Sequence, residues 1–239
     1  MKSIKIYALA LGLLAVFAGC QNDVVKPLEN DKEAPAPVRD VTYTKMSGSV
    51  LLTYTLPSDP DLLYVAASYT NKAGKKYEFK ASYFTNTLLV EGFGDTDTYS
   101  LDVYAVDRSE NYSEPVNIQV AADTPPVQAA YETLEVQPDF GGMTFSFDNA
   151  SKADLTVYVS TPNADNEMVN AETFYTGLAK ATFSVRGFLD VPRDFEICFE
   201  DKWGNRSPVK KENLTPIYEA ELDKKKFKEV ILPGDFPCT

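Results

Sequence analysis

The stretch TYSLDVYAVDRSENYS, from Thr98 to Ser113, contains the pattern that decides the fold. From Tyr99 to Ala105, apolar residues alternate with polar ones, which is the period of a β-strand buried on one face only. The polar residues from Asp107 to Ser113 then predict the turn of a hairpin. Together they predict an antiparallel sheet packed on one side.

Similar alternating runs lie on both sides of this stretch and are separated by turn residues. They are Val50–Leu56, Lys75–Ala81, Val116–Val120, Met143–Phe147, Leu155–Val159, Thr182–Val185 and Phe195–Phe199. Short strands at such spacing predict β-sandwiches rather than a helical or α/β fold. Helical period is almost absent, and Glu219 to Val230 is the exception.

The two halves of the chain repeat one another. Asp107–Ser113 (DRSENYS) recurs 94 residues later as Asp201–Ser207 (DKWGNRS), and Val90–Phe93 recurs as Val185–Phe188. The economical interpretation is an all-β protein of two tandem antiparallel sandwiches, fibronectin type III-like or immunoglobulin-like.

The repeated turn supplies the predicted structural residues, which are Asp107, Asn111, Asp201, Gly204 and Asn205. We expect each Asp to cap the backbone of its own turn and an Asn or Gly to take the positive φ. Trp203, the only tryptophan, stands where the first copy has Ser109, so its position is not an obligatory core site. It is expected to be exposed, or covered by something outside its own domain.

The amino terminus resembles a bacterial lipoprotein signal. Lys2 and Lys5 precede an apolar run from Ile6 to Ala18 that is shorter than the roughly 20 residues of a membrane-spanning helix. Small residues then lead to Cys20, the expected lipidation site. An ordinary secretion signal with a chance cysteine is the alternative.

These features divide the chain into five predicted segments. They are a signal peptide (1–19), a tether from lipidated Cys20 (20–34), sandwich 1 (35–122), sandwich 2 (127–216) and a carboxy-terminal extension (217–239). A proline linker from Ala122 to Pro126 joins the sandwiches.

Composition excludes several functions. The net charge is −12, or −14 after loss of residues 1–19, and such a surface repels nucleic acid and anionic lipid. The chain has no histidine, the usual general base and metal ligand. No enzyme activity, cofactor or metal is expected. Cys198 is expected to be buried or half-buried and inert.

Two pairs of aspartates could suggest calcium, but turn capping explains both adequately. They are Asp59 with Asp61 and Asp95 with Asp97. Each pair supplies only a minority of the six to eight oxygens that calcium takes.

Residues 99–107 (YSLDVYAVD), with Pro37 and Val38, resemble a fibronectin type III module, and Tyr99 stands at its tyrosine corner. More specifically, the lipobox and several phrases resemble Bacteroidetes surface lipoproteins with two tandem domains of unknown function. The phrases are DKEAP (31–35), LPSDPDLLYV (56–65), VEGFGD (90–95), DKWGNRS (201–207) and LDKKKF (222–227).

The resemblance implies a place in a polysaccharide-utilisation system, beside outer-membrane glycan importers. In such proteins the pair usually precedes a discoidin-like sandwich that is expected to bind sugar. Residues 227–235 (FKEVILPGD) resemble the start of that third domain, which is missing here. Either a truncated or a naturally short form is expected.

The expected function is that of a non-catalytic spacer and scaffold, lipid-anchored at the outer membrane on the cell surface, with the periplasmic face as an alternative. Direct binding of a neutral polysaccharide is one rival, with Trp203, Arg206, Tyr104 and Tyr112 as candidate glycan or partner contacts. The others are a protein-interaction module that docks onto an importer, and a hydrolase with two carboxylates across a cleft.

Overall fold

The computed structural model describes residues 31–220 and 223–228. The predicted signal peptide, the lipidation site Cys20 and most of the tether therefore lie outside the described residues. Within the described part, regular structure is almost entirely β-strand. The strands are β1 (Arg39–Met46), β2 (Ser49–Thr55), β3 (Leu62–Thr70), β4 (Lys76–Ser82), β5 (Thr87–Glu91), β6 (Thr98–Asp107), β7 (Val116–Ala121), β8 (Glu135–Asp139), β9 (Gly142–Asp148), β10 (Leu155–Pro162), β11 (Met168–Thr176), β12 (Lys180–Arg186), β13 (Arg193–Asp201) and β14 (Lys210–Leu214).

The first seven strands form one sandwich of two antiparallel sheets. One sheet has the order β1-β2-β5 and the other β4-β3-β6-β7. Strand β6 pairs with β3 on one side and β7 on the other, in the registers Ala67↔Val103 and Leu101↔Ile118. The apolar residues of the Thr98–Asp107 strand therefore lie on the core face of the sheet, and the polar residues that alternate with them lie on its outer face.

The last seven strands repeat this arrangement. Their sheets have the orders β12-β9-β8 and β11-β10-β13-β14, which match the first sandwich strand for strand. The predicted fold class, two tandem antiparallel β-sandwiches, is confirmed. The domain boundaries given above stay a prediction.

Each sandwich has its own core between its two sheets. Val50, Leu52 and Leu101 are fully buried in the first, and Phe195 and Ile197 in the second. These residues come from the apolar positions of the alternating runs, because side chains two apart on a strand share a face. Burial of this apolar area is the main stabilising term for each sandwich.

One helix was not predicted. Helix α1 (Pro126–Glu132) begins within the expected proline linker and buries Val127 and Ala130 in the second core. Proline is compatible with the first turn because the amide hydrogen it lacks would have no helical partner there. With only seven residues, α1 shows too little periodicity for a sequence pattern to reveal it.

The helical period expected from Glu219 to Val230 lies partly outside the described residues. Within them it gives one short 3-10 helix, Lys224–Lys226, preceded by Asp223, whose side chain accepts a hydrogen bond from the Lys225 amide. No helix among residues 31–220 and 223–228 is long and apolar enough to cross a lipid bilayer.

Candidate functional site

The repeated turn has the same hydrogen bonds in both sandwiches. One carboxylate oxygen of Asp107 accepts hydrogen bonds from the amides of Ser109 and Asn111, both at 2.8 Å, and the other accepts from the Asn111 side chain. Asp201 makes the equivalent three bonds in the second sandwich, each at 2.9 Å. The carboxylate satisfies amides that a tight turn cannot pair with another strand.

A serine closes each turn, and the positive φ lies one residue earlier than expected in the first copy. The Ser113 and Ser207 hydroxyls accept hydrogen bonds from the strand amides of Ala105 and Phe199. The left-handed residue of the second turn is Gly204, as expected, but that of the first is Glu110, at φ 63°, rather than Asn111. Asn111 uses its side chain to bond Asp107 instead, so the prediction for the first copy was wrong.

Trp203, at the tip of the second turn, packs against the first sandwich. Its indole is half-buried and lies edge-on to two rings of that sandwich, 5.5 Å from Tyr77 and 5.6 Å from Phe79 between centroids. Gly92 lies against the indole, because a Cβ built at Gly92 would be 3.1 Å from the Trp203 ring. Of the two expectations for Trp203, cover from outside its own domain describes this position.

Polar contacts surround the indole on both sides of the junction. The Asn205 side-chain amide donates to the Gly92 carbonyl at 3.3 Å, and the Lys202 ammonium pairs with Glu91 at 3.1 Å. The Tyr77 hydroxyl donates to the Trp203 carbonyl at 3.4 Å. Two consecutive residues of the second turn, Lys202 and Trp203, and one of its predicted structural residues, Asn205, thus contact the first sandwich.

The linker is tied to the first sandwich by backbone hydrogen bonds. The amide of Gly48 donates to the Asp123 carbonyl at 3.1 Å, and the Asp123 amide donates to the Met46 carbonyl at 3.0 Å. The same pattern ends the second sandwich, where Gly141 donates to Ile217 and Ile217 to Asp139. The start of the second sandwich is therefore held in place by paired backbone as well as by the turn.

A cleft of about 660 Å³ lies beside this junction. Apolar side chains from both sandwiches line it, including Met46, Leu89 and Trp203, with Lys152 and Lys202 at its edge. Clefts between domains are common places for ligands. The indole lines this cleft, and the Lys202 ammonium lies 5.1 Å from the centre of its ring.

Three tyrosines meet on the outer face of the first sandwich's four-stranded sheet. Tyr64 comes from β3, Tyr104 from β6, and Tyr112 from the turn after β6, where it bridges to Val106. The hydroxyls of Tyr64 and Tyr112 are 3.3 Å apart, and the rings of Tyr104 and Tyr112 meet edge-on at 5.7 Å. We call Tyr64, Tyr104 and Tyr112 the tyrosine face.

A lysine and an acid border the tyrosine face. The Lys80 ammonium lies 4.6 Å from the centre of the Tyr64 ring and pairs with Glu78 at 3.1 Å. The hydrogen bond between the Tyr112 and Tyr64 hydroxyls, followed by partial burial, raises the pKa of Tyr112 to about 12. Burial, with Asp102 and Glu78 nearby, raises the pKa of Tyr104 as well. Both hydroxyls therefore keep their protons at neutral pH.

Arg206 lies on the equivalent outer face of the second sandwich, away from the other predicted contacts. Its guanidinium is 5.3 Å from the centre of the Tyr158 ring and donates to Glu200 at 2.5 Å. That hydrogen bond, with the charge of Glu200, raises the pKa of Arg206. The structure thus brings together Tyr104 and Tyr112, and places Trp203 and Arg206 in two other locations.

The paired aspartates cap turns. A carboxylate oxygen of Asp59 accepts from the Asp61 amide, and one of Asp95 accepts from the Asp97 amide and the Tyr99 hydroxyl. Desolvation favours the protonated form of Asp95, but the hydrogen bonds from Lys72, the Asp97 amide and Tyr99 outweigh it and lower its pKa.

Three acids from separate segments, Asp31, Asp61 and Asp107, bring carboxylate oxygens within 4.8 Å of one another. Protein groups already hold two of them. Asn111 donates to both Asp31 and Asp107, and turn amides also occupy Asp107. The pKa of Asp61 is raised, first by its hydrogen bond with Asp59 and then by desolvation and nearby negative charge.

Tyr99, at the predicted tyrosine corner, donates its hydroxyl to the Asp95 carboxylate at 3.1 Å. Its counterpart Arg193 instead lies over the Phe188 ring at 4.7 Å and donates to the Pro162 carbonyl. Half-buried Cys198 lies on the outer face beside Arg206.

Three junction residues of the first sandwich, Tyr77, Phe79 and Gly92, were not predicted from the sequence. For Gly92, the repeated Val-x-Gly-Phe phrase was the available signal.

Two family models match the described sandwiches one after the other. Residues 35–122 match DUF4959, a domain of unknown function. Residues 123–225 match DUF5126, another domain of unknown function. No curated protein matches the sequence.

Solved structures similar to the chain include a SusE-like protein and tandem fibronectin domains. The SusE-like protein BT2857 is 34% identical over 41% of this chain, with a TM-score of 0.36, and the match spans 34% of that protein's length. A two-domain fibronectin type III segment of chicken tenascin is 15% identical over 75% of this chain and 99% of its own, with a TM-score of 0.35. The FN1–FN3 domains of chicken CNTN1 are 9% identical over 76% of this chain and 67% of theirs, with a TM-score of 0.34.

Proposed function

We propose that the protein is a non-catalytic, lipid-anchored surface protein whose two sandwiches act as a stiff spacer and scaffold in a glycan capture and uptake system. The observation that carries the spacer role is the junction around Trp203. A ring from one sandwich is packed against rings of the other, and paired backbone holds the linker.

A stiff spacer follows from the contacts at this junction. Domains joined by a flexible linker move relative to one another by default. Here the Glu91–Gly92 segment of the first sandwich is in contact with three residues of the second, which are Lys202, Trp203 and Asn205. Bending at the linker would therefore break several contacts at once. The sandwiches are expected to keep a partner or ligand at a set distance from the membrane.

The anchor and the glycan connection have a different kind of support. Basic and apolar residues before Cys20 have the pattern of a lipoprotein signal. The glycan connection depends on the resemblance of several phrases to surface lipoproteins of polysaccharide-utilisation systems. The strongly acidic composition, with its net charge of −12, fits a neutral rather than an acidic glycan.

The anchor is tested in the native host by comparing wild type with Cys20→Ser. We expect wild type in the outer-membrane fraction and sensitive to external protease, and the variant released from that fraction. Mild solubilisation of wild-type membranes should then co-purify an outer-membrane glycan importer. A wild-type protein that fractionates as soluble, or that is purified alone, would contradict the proposal.

A further inference from the structure

We propose that the tyrosine face (Tyr64, Tyr104 and Tyr112) is itself a binding surface for a neutral polysaccharide. A spacer needs no ligand of its own, so this goes beyond the proposed function, although it depends on the same glycan setting. The argument comes from which rings meet on this face, which groups surround them and how the second sandwich differs.

The three rings come from separate parts of the first sandwich and meet at one place. Tyr64 and Tyr112 are joined through their hydroxyls at 3.3 Å, which limits the rotation of both rings. Tyr104 meets Tyr112 edge-on, and Tyr112 is 44% exposed. Rings held in place lose little conformational freedom on binding, and an exposed ring face is what an apolar sugar face contacts.

Hydrogen-bonding groups surround the rings on the same outer face. Lys80 and Glu78 lie on the β4 side. Asp102 and Asn117 lie on the β6 and β7 side, where the Asn117 side chain donates to Asp102 at 2.9 Å. The Tyr104 hydroxyl has no hydrogen-bond partner among the described residues. Sugar hydroxyls both donate and accept, so a face with donors and acceptors beside rings suits them.

The composition of the face favours a neutral sugar over a protein or an acidic glycan. A protein interface needs a contiguous apolar core inside its polar rim. Only Tyr112 of the three rings is widely exposed, whereas Tyr64 and Tyr104 are half-buried. Two acids and one lysine lie beside the rings, on a chain of net charge −12, which disfavours a polyanion.

The second sandwich provides an internal comparison. The positions of Tyr104 and Tyr112 are taken there by Cys198 and Arg206, 94 residues later. The Arg206 guanidinium covers the Tyr158 ring and is held by Glu200. The repeat has therefore kept the turn residues Asp and Asn, but among the described residues three tyrosines in contact with one another occur on the outer face of the first copy only.

The test is affinity electrophoresis of the full chain in native gels that contain one polysaccharide each. Amylopectin, galactomannan, arabinoxylan and a mixed-linkage β-glucan supply neutral ligands, and polygalacturonate supplies an acidic one. The variants are Tyr104→Ala, Tyr112→Ala and Tyr112→Phe. Tyr175→Ala is the matched control, because Tyr175 is 76% exposed on β11 of the second sandwich.

We expect at least one neutral polysaccharide to retard wild type and Tyr175→Ala equally, and polygalacturonate to retard neither. Tyr112→Ala should weaken that retardation about tenfold, because stacking and buried area are both lost. If Tyr112→Ala lowers the unfolding midpoint, Tyr112→Phe keeps the ring and should still be retarded.

Equal retardation of wild type and of both alanine variants, Tyr104→Ala and Tyr112→Ala, would overturn the inference. So would wild type that no neutral polysaccharide retards, or that polygalacturonate alone retards. These measurements use purified protein and need neither the anchor nor the importer. A failure here is therefore distinct from a failure of the Cys20→Ser or co-purification experiments.

Discussion

Trp203 of the second sandwich meets Tyr77 of the first edge-on, with ring centroids 5.5 Å apart and ring planes at 90°. The Tyr77 hydroxyl also donates to the Trp203 carbonyl. Both the ring and the backbone of the turn tip therefore contact the other sandwich. This pair couples the stability of one sandwich to that of the other.

Replacing Trp203 with alanine should uncouple the sandwiches. We expect the free energy of unfolding to fall by about 1–3 kcal/mol. This is less than for a fully buried tryptophan, because the ring is half-buried. Thermal unfolding followed by circular dichroism should change from one cooperative transition to two. Tyr175→Ala, at an exposed site, should keep the wild-type profile. Two resolved transitions in the wild type would show that the junction does not couple them.

Alanine at the two equivalent glycines should separate the effect of the junction from that of the backbone. Gly92 has φ +89° and its Cβ would lie 3.0 Å from the Tyr69 hydroxyl and 3.1 Å from the indole. Gly187 has φ +100° with nothing within 4 Å. Backbone strain should lower the free energy of unfolding of both variants by about 1 kcal/mol or more. Crowding against the indole and Tyr69 should lower that of Gly92→Ala by about 1–3 kcal/mol more.

The measurement is chemical denaturation of Gly92→Ala and Gly187→Ala side by side. Wild-type Trp203 also reports the junction directly, because it is the only tryptophan, so Gly92→Ala should shift its emission and Gly187→Ala should not. Equal losses of stability and unchanged emission in both variants would mean that the indole does not pack on Gly92.

Removing the carboxylate of the first turn should destabilise the first sandwich. Asp107 is fully buried and accepts three hydrogen bonds from its own turn. Asp107→Ala leaves these donors unpaired, and we expect a loss of about 2–4 kcal/mol in the free energy of unfolding. Glu114→Ala, at an exposed residue just after the turn, is the control. A change within about 0.5 kcal/mol for Asp107→Ala would refute the capping role.

Stability should fall at alkaline pH through the buried tyrosines. Burial raises the pKa of Tyr54 from its ordinary value of 10 to about 12. Above pH 10 the unfolded chain loses this proton more readily than the folded chain does. The stabilisation is therefore complete below pH 10 and is lost as the pH rises towards 12. Denaturation midpoints measured from pH 8 to 12 should fall less steeply for Tyr54→Phe than for wild type or for Tyr175→Phe.

Much of the fold could be predicted because most of the core strands follow a two-residue period. The runs around Leu52, Leu101 and Phe145 place one face in a core, and the structure buries those faces. Strands β1 and β11 were missed, and both lie at sheet edges where both faces carry polar residues. The central strand β3 was missed for the opposite reason, because it is buried on both faces from Val65 to Tyr69 and does not alternate. An edge strand has one neighbour and little burial, so its sequence has only a weak alternation.

The candidate site could be predicted only in part, for a related reason. The turn residues Asp201 and Asn205 bond to each other within their own hairpin, and local spacing determines such contacts. The partners of Trp203 lie on β4 and at Gly92, more than a hundred residues earlier in the chain. No local pattern encodes a contact of that range.

The sequence by itself determined the class of fold, the duplication and the capped turn of each copy, because periodicity, repetition and turn chemistry act over a few residues. Only the tertiary structure decided that the lone tryptophan packs against the other sandwich and that Tyr64, Tyr104 and Tyr112 share one outer face. Strand register and domain packing bring distant residues together, and these depend on the whole chain at once.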